Sequence, residues 1–570
     1  MGLSLLKSIV LLCTLAIDGI RGQLDAQIPL GTFQGNGTDT CHDACTALTT
    51  SLGSKVHHNT SLPDSLFSGY YTLMARSTIP LCIIHPTSAE DVSDAIKIIS
   101  AHSCIFAVKS GGHSMFPGAA TAKGGIVLDL HLLNGLKLDM ETQTAFVGTG
   151  NRWGAVYEFL EPSNLTVVGG RVSDVGVGGF LLGGMFKNFI FAPYDEDIVL
   201  TEQTGGISFI SRKYGWGCDN VRSYEIVLAN GTIANINYAS HPDLYFALRG
   251  GGKNFGIVTR FDLETHPKLY EWWGGFNFMF LTPSAIPLIS SRIFSPTLAS
   301  LTETAAQWAV KLACKLGYCV DLKTLTEAMA GLPFDNVDET DAAGYFAIIK
   351  PANANIYAAA THALHTGGLT DTPSFAKQTK KINTKALKST LRTKYTNSFI
   401  EECDGYNPVG VRMSYYTATF KVNATFLEKV VGIYSEEIER IRFVNGLSPG
   451  FTLQTLHRDE IKMFGRNGGN ALGIKEEDGP LTILLVPIGW ADEADDELVI
   501  RTSQTIIDRS VELGKKMGVH HPFIYQNYAG KGQDIFAGYG VENQERLRRI
   551  QMEVDPQGVF VKLQPGYFSL

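Results

Sequence analysis

Long hydrophobic runs are what this 570-residue chain has least of. The apolar stretch nearest the N-terminus, Ser8 to Ala16, is far shorter than the roughly 20 residues a membrane-crossing helix needs, so no membrane partner is expected. Excess positive charge is missing too. Lys and Arg total 48 against 56 Asp and Glu, a net charge of −8, and binding nucleic-acid phosphates needs a basic face. The one basic cluster, Lys377, Lys380, Lys381, Lys385, Lys388, Arg392 and Lys394, reads as a solvated surface. Several catalytic signatures are absent. No Gly-x-Gly-x-x-Gly follows a suitable strand. Gly252-Lys253 is followed by Asn254 rather than Ser or Thr, which excludes a Walker loop. No Gly-x-Ser-x-Gly elbow closes a strand. Cys41 with Cys45, and Cys314 with Cys319, have no histidines at zinc spacing, so no metal is expected.

What remains is globular: 44% hydrophobic and 18% charged, with length for two or more domains. Lys7, the short apolar run and the small residues Gly19 and Gly22 have the form of a secretory signal over residues 1–22, which predicts a secreted protein. Asn-x-Ser/Thr sequons at Asn36, Asn59, Asn164, Asn230 and Asn423 fit a glycoprotein. Cys41, Cys45, Cys82, Cys104, Cys218, Cys314, Cys319 and Cys403 read as a source of disulfides, with pairing left open.

Residues 23–75 are polar and weakly patterned. Order then sharpens. Leu81–Ile84 reads as a strand, Thr87-x-x-Glu90 as a capping box, and Val92, Ala95, Ile96 and Ile99 as one face of a helix. Ile105–Val108 is the next strand, and it runs straight into Lys109-Ser110-Gly111-Gly112-His113-Ser114. Adjacent glycines let backbone N–H groups converge on an anion. A second glycine-dense segment spans Gly169–Gly179, and a third Gly250–Gly256. Asn230-Gly231 marks a hairpin. From about 269 the glycine loops thin out. Val411–Phe420 and Leu481–Val486 read as antiparallel strands around a helix at Phe426–Arg442, and a last helix, Gln544–Val554, stops at Asp555-Pro556.

Five motifs occur in one order: Lys109–His113, Gly170–Gly179, Tyr214–Val221, Leu248–Gly256 and Tyr525-x-Asn527-Tyr528. Together they resemble the berberine-bridge-enzyme-like branch of FAD-linked oxidases, in its secreted fungal form. The resemblance covers about residues 75–270 and 520–570. It implies an α+β chain: a two-subdomain FAD-binding fold of the vanillyl-alcohol-oxidase type over 76–268, an antiparallel-sheet substrate domain over 269–519, and a C-terminal segment, 520–570, completing the FAD domain.

It also implies roles. His113 would bond covalently to the flavin ring, and Lys109, Ser110, Gly111, Gly112 and Ser114 would wrap the diphosphate, where relatives more often carry Arg at the Lys109 position. Gly170, Gly176, Gly178 and Gly179, with Gly217, Asn220, Ile257 and Val258, would line the adenosine and ring, and Asn527 and Tyr528 would enter from the C-terminal segment. Doubly linked relatives carry Cys at the position of Val172, so a single covalent bond is expected. Val175 matches the small gating residue of relatives that react freely with oxygen, which makes O2 the expected acceptor.

One departure stands out. Leu181-Leu182-Gly183-Gly184 is separated from Gly206-Ile207-Ser208-Phe209 by Met185–Gly205, an acidic and aromatic stretch whose end codons can carry intron donor and acceptor signals. It reads as a retained intron.

A hydride-abstracting flavoenzyme acting on an alcohol or amine also needs a base. The candidates are Tyr415, Tyr416 and Tyr525, on strands expected to face the ring. The expected substrate is a small organic molecule such as a secondary metabolite or alcohol. A carbohydrate oxidase, or a flavin-binding glycoprotein without turnover, stays open.

Overall fold

Short strands built from runs such as Cys82-Ile83-Ile84 and Ile126-Val127-Leu128 are buried along their length, as strands covered on both faces must be. In this computed structural model, which describes residues 39–59, 69–183, 207–268, 270–282, 308–335, 339–350, 356–368, 381–382, 384–405 and 410–570, they form a four-stranded sheet. Its strands are β1 (Val56–His58), β2 (Cys82–Ile84), β3 (Phe106–Lys109) and β4 (Ile126–Asp129), in the order β1-β2-β4-β3, with β4 parallel to both β2 and β3. The expected signal peptide, the Asn36 sequon, Lys377, Lys380 and the segment 185–205 lie outside the described residues.

Helix α1 (Asp39–Leu52) occupies part of the stretch expected to be weakly patterned. Cys41 and Cys45 lie one turn apart on it, so both face the sheet. They pair with Cys104 and Cys82 respectively. A third disulfide joins Cys314 to Cys319, while Cys218 is a buried free thiol and Cys403 is buried. Helix α2 (Ala89–Ala101) buries Val92, Ala95, Ile96 and Ile99 completely. Its cap sits one residue later than the expected Thr87 box. Ser88 Oγ accepts from the Asp91 N–H, while the Asp91 carboxylate accepts from the N–H and hydroxyl of Thr87.

A second, antiparallel sheet holds β5 (Leu136–Asp139), β6 (Thr144–Gly148), β7 (Val221–Val227), β8 (Ile233–Asn237) and β9 (Ile257–Glu264) in the order β5-β6-β9-β7-β8. The β7–β8 hairpin turns at Asn230-Gly231, with Gly231 at φ 81°.

Among the described residues the third sheet has ten strands. Its centre is β10 (Trp272–Leu281), β11 (Ala342–Ile349), β12 (Ala358–His365), β13 (Arg412–Lys421), β14 (Ser448–Leu456) and β15 (Leu481–Trp490), ordered β10-β12-β11-β14-β15-β13 and antiparallel throughout. Period-two alternation divides its side chains. One face carries Ile348, Phe451, Leu453, Leu484, Val486 and Phe420 into a core shared with helices α3 (Leu322–Asp335), α4 (Ala424–Arg440) and α5 (Asp496–Lys516). The other face carries Phe276, Tyr345, Ile483 and Tyr415 into the core shared with the glycine loops.

Candidate active site

Strand β3 ends at Lys109, and the chain turns through Gly112 at φ 72°. A Cβ there would stand 2.7 Å from the Gly69 carbonyl oxygen, so only glycine fits. Gly111 meets the second glycine loop directly: its Cβ would lie 2.5 Å from the Gly176 nitrogen. Ser110 ties the crossing. Its Oγ donates to the Thr149 carbonyl (2.7 Å) and accepts from the Gly178 N–H (3.3 Å).

His113 is buried beside this crossing. Its Nε2 lies 3.1 Å from Arg152 Nη1 and 3.4 Å from Asp174 Oδ2, and its ring stacks on Tyr71 at 5.2 Å. Arg152 is itself bonded to Asp174 and donates to the Gly111 carbonyl. The Lys109 side chain passes beneath Gly112, and its ammonium sits 2.9 Å from Asp129 Oδ2 and over the Tyr70 ring. Burial would raise the Asp129 carboxyl, but His131 and Lys109 hold it at about 2.

Gly170 packs against the Trp153 indole, where a Cβ would lie 2.5 Å from Cδ1. Val172 and Val175 are fully buried. Gly176 caps the short helix Val177–Leu182, whose first turn holds Gly178 and Gly179. Gly217 abuts Phe180 and Leu181. The Asn220 amide braces its own loop, donating to the Tyr214 and Trp216 carbonyls at 2.9 and 2.8 Å. Ile257 turns into the core of the first sheet and Val258 into the core around the glycine loops. Asp219 and Arg249, both fully buried, pair at 2.9 Å, and Arg249 donates to the carbonyls of Arg466, Asn467 and Gly469. Two of the sequence motifs thus latch onto the loop after β14.

From the C-terminal segment, Asn527 Nδ2 donates to the Tyr525 hydroxyl at 2.7 Å, and Tyr528 OH donates to Gln454 Oε1 at 3.0 Å. The same Gln454 oxygen accepts from Arg171 Nη2 at 2.9 Å. The Arg171 guanidinium lies over the rings of Tyr345 (5.2 Å) and Phe209 (5.6 Å). Tyr345 pairs across the sheet with Gln454 on one side and His362 on the other, and their rings place His362 5.1 Å from Tyr345. Burial drives the His362 imidazole well below its usual range, with the Arg171 charge acting the same way, so it is neutral near pH 7.

The three candidate tyrosines separate. Tyr415 faces the glycine loops. Tyr416 faces the other way, into the helix-covered core, where its hydroxyl donates to the Lys531 carbonyl. Strand alternation therefore removes Tyr416 from the site. Tyr525 is not on a strand but caps the one-turn 3-10 helix Gln526–Tyr528, with its ring 4.8 Å from Trp216. Burial raises both Tyr415 and Tyr525 well above the usual phenol range. At neutral pH each is a hydrogen-bond donor, which departs from the expected role as base.

Sequence reasoning missed Arg171, Gln454, Tyr345 and His362. Three of them lie on three different strands. Only the register of the large sheet brings them together, although alternation outward from Tyr415 would have marked each strand's inward positions.

These residues fit a flavin. The crossing of Gly111 and Gly176 leaves no side chain between backbone N–H groups and an approaching phosphate. The imidazole of His113 is held at the crossing, and Asn527 Oδ1 is a buried amide oxygen with no hydrogen-bond partner among the described residues.

The comparisons agree. The FAD binding domain family matches residues 80–190. The chain is 33% identical to the FAD-dependent monooxygenase FUP4 of Fusarium proliferatum, over 94% of this chain and 96% of that protein. It is 34% identical to the FAD-dependent monooxygenase tpcD of Cochliobolus heterostrophus, over 92% and 93%. Among solved structures, 6-hydroxy-D-nicotine oxidase from Arthrobacter nicotinovorans superposes with a TM-score of 0.65 at 18% identity, covering 90% of this chain and 97% of that one. Berberine bridge enzyme from Eschscholzia californica does so at 0.62 and 15%, covering 91% and 97%. Both share the fold, an FAD-binding region joined to an antiparallel-sheet domain.

Proposed function

The chain belongs to the FAD-linked oxidoreductases of the berberine-bridge-enzyme-like family, and we propose that it is an oxidase that holds its flavin covalently through His113 and takes a hydride from a small organic substrate. The observation that carries this reading is the placing of His113, against Asp174 and Arg152, at the point where the two glycine loops cross. When bound, the flavin accepts the hydride and passes the electron pair to molecular oxygen.

The protein's residues supply the rest. Backbone N–H groups of Ser110–Ser114 hold the diphosphate, with the Lys109 charge already engaged by Asp129 and the Gly178 N–H by Ser110 Oγ. Tyr415, protonated, donates a hydrogen bond to a substrate oxygen. Neutral His362 is a hydrogen-bonding partner for the substrate's hydroxyl, and Arg171 beside it favours negative charge developing on that oxygen. Phe276, Phe209 and Tyr345 surround His362 with aromatic rings. This suits a flat or apolar secondary metabolite better than the open polar groove of a carbohydrate oxidase. Buried Val175 would leave room for oxygen near the ring.

A second reading, monooxygenation, is favoured by the names of the relatives FUP4 and tpcD. Peroxide yield and oxygen labelling separate the two. An oxidase returns one hydrogen peroxide per substrate and no label from 18O2 in the product. Labelled product with little peroxide contradicts the oxidase reading.

A further inference from the structure

Away from the flavin site, three metal-ligating side chains from separate stretches meet at one end of the four-stranded sheet, past the C-terminal ends of its two central strands. His85 follows β2, Asp129 ends β4, and His131 lies in the one-turn 3-10 helix Leu130–Leu132. One ligand atom from each falls within 4.8 Å of the others, the one such set among the described residues. His131 Nδ1 is 3.2 Å from Asp129 Oδ1, and His85 Nε2 is 3.9 Å from Asp129 Oδ2. That second distance is too long for a hydrogen bond. His85 Nε2 is nevertheless buried, with no hydrogen-bond partner among the described residues, so this nitrogen is unused beside the carboxylate.

The geometry points to a binding site for a zinc-class divalent cation formed by His85, Asp129 and His131. Two imidazoles and one carboxylate are the donor set of zinc rather than of calcium or magnesium, which take oxygen. Zinc bonds of about 2.0–2.1 Å put neighbouring ligand atoms about 3.4 Å apart in a tetrahedron. The gap from His131 Nδ1 to Asp129 Oδ1 already meets that spacing, and His85, whose ligand atom lies within 4.8 Å of the others, closes onto the ion by a modest shift. The side chains of His85 and Asp129 are 12% and 6% exposed and hold their places, while His131, at 43%, can swing onto the ion.

Lys109 does not block the site. It occupies Asp129 Oδ2 at 2.9 Å, and Oδ1, which accepts the His131 backbone N–H at 3.3 Å, keeps a lone pair for the metal, the usual arrangement in which a ligating carboxylate is fixed by outer hydrogen bonds. His57 on β1, with its ring 4.8 Å from that of His85, or a water, completes four ligands. The ion would tie β1, β2 and β4 together beneath Lys109, whose Cε lies 2.9 Å from where a Cβ of Gly112 would stand. Its role is structural support under the first glycine loop. Sequence spacing hides the set, because His85 and Asp129 are brought together only by the parallel pairing of β2 and β4.

The test uses the full-length, tag-free flavoprotein, stripped with chelator and dialysed. Calorimetric titration with Zn2+ is expected to give one ion per chain, and Co2+ to give tetrahedral ligand-field bands beyond the flavin absorption. His131→Ala, at a half-exposed position, should weaken Zn2+ binding by at least about tenfold and abolish the cobalt bands while the flavin spectrum stays unchanged. His85→Asn should do the same. No stoichiometric Zn2+ binding by the parent protein, or parent-like binding by both variants, overturns the site.

Discussion

Gly111 and Gly176 meet backbone to backbone: a Cβ on either would stand 2.5 or 2.4 Å from the other's nitrogen. Neither loop can retreat independently, because Ser110 bonds Thr149 and Gly178 across the junction. Gly176→Ala should therefore separate the loops that hold the cofactor. The expected result is protein with most of its flavin lost and stability lower by about 1–3 kcal/mol, the usual range for forced overpacking. Absorbance of the purified variant at the flavin bands, with its melting temperature, checks both.

Alternation along β13 gives its two tyrosines opposite fates. Tyr416→Phe, on the helix-covered face, should leave turnover close to the parent value. Tyr415→Phe should slow the reductive half-reaction by about 10²-fold, the low end for a positioned proton-handling group. Stopped-flow bleaching of the flavin by substrate measures both. Equal effects would mean that the sheet presents the other face to the ring.

Gln454 joins two otherwise distant pieces, Arg171 of the glycine loop and Tyr528 of the C-terminal segment, through one oxygen. Gln454→Leu removes an acceptor from two buried donors at once. Each lost partner costs about 1–3 kcal/mol, so the melting temperature should fall by several degrees, whereas Gln454→Glu should retain both contacts and most of the stability. Thermal denaturation of the two variants side by side tests this.

Glu460 sets a pH dependence. Burial pushes its carboxyl up to about 8, against the hydrogen bond from Trp216 Nε1 at 2.6 Å. In the unfolded chain it titrates near the ordinary Glu value, about 4.3. The folded state therefore binds more protons between roughly pH 4.3 and 8, and stability falls as pH rises through that window. Glu460→Gln should flatten the decline. Melting curves from pH 5 to 8.5 would show this as a shallower slope, and a slope equal to that of the parent protein would exclude Glu460 as its source.

Local features were readable from the chain. The buried face of α2, the Asn230-Gly231 hairpin, β13 and β15 lie where periodicity and turn residues put them, because those signals act over a few neighbouring residues. The Ser88 cap differs from the Thr87 reading by one position, since Ser-x-x-Asp competes with Thr-x-x-Glu and the loop geometry decides between them. The glycine loops were legible as loops, but not the fact that Gly111 and Gly176 touch. Long-range placement was the least legible. Cys41 and Cys45, close in sequence, bond to different partners because both point from α1 to the sheet. Tyr345, His362 and Gln454 became neighbours only through strand register.

The most direct test of the account is acid denaturation of the purified protein followed by gel electrophoresis. A protein band that keeps flavin fluorescence, with the label on the peptide containing His113 and lost in His113→Ala, is the predicted result. A yellow native protein whose entire flavin washes free on denaturation would contradict it.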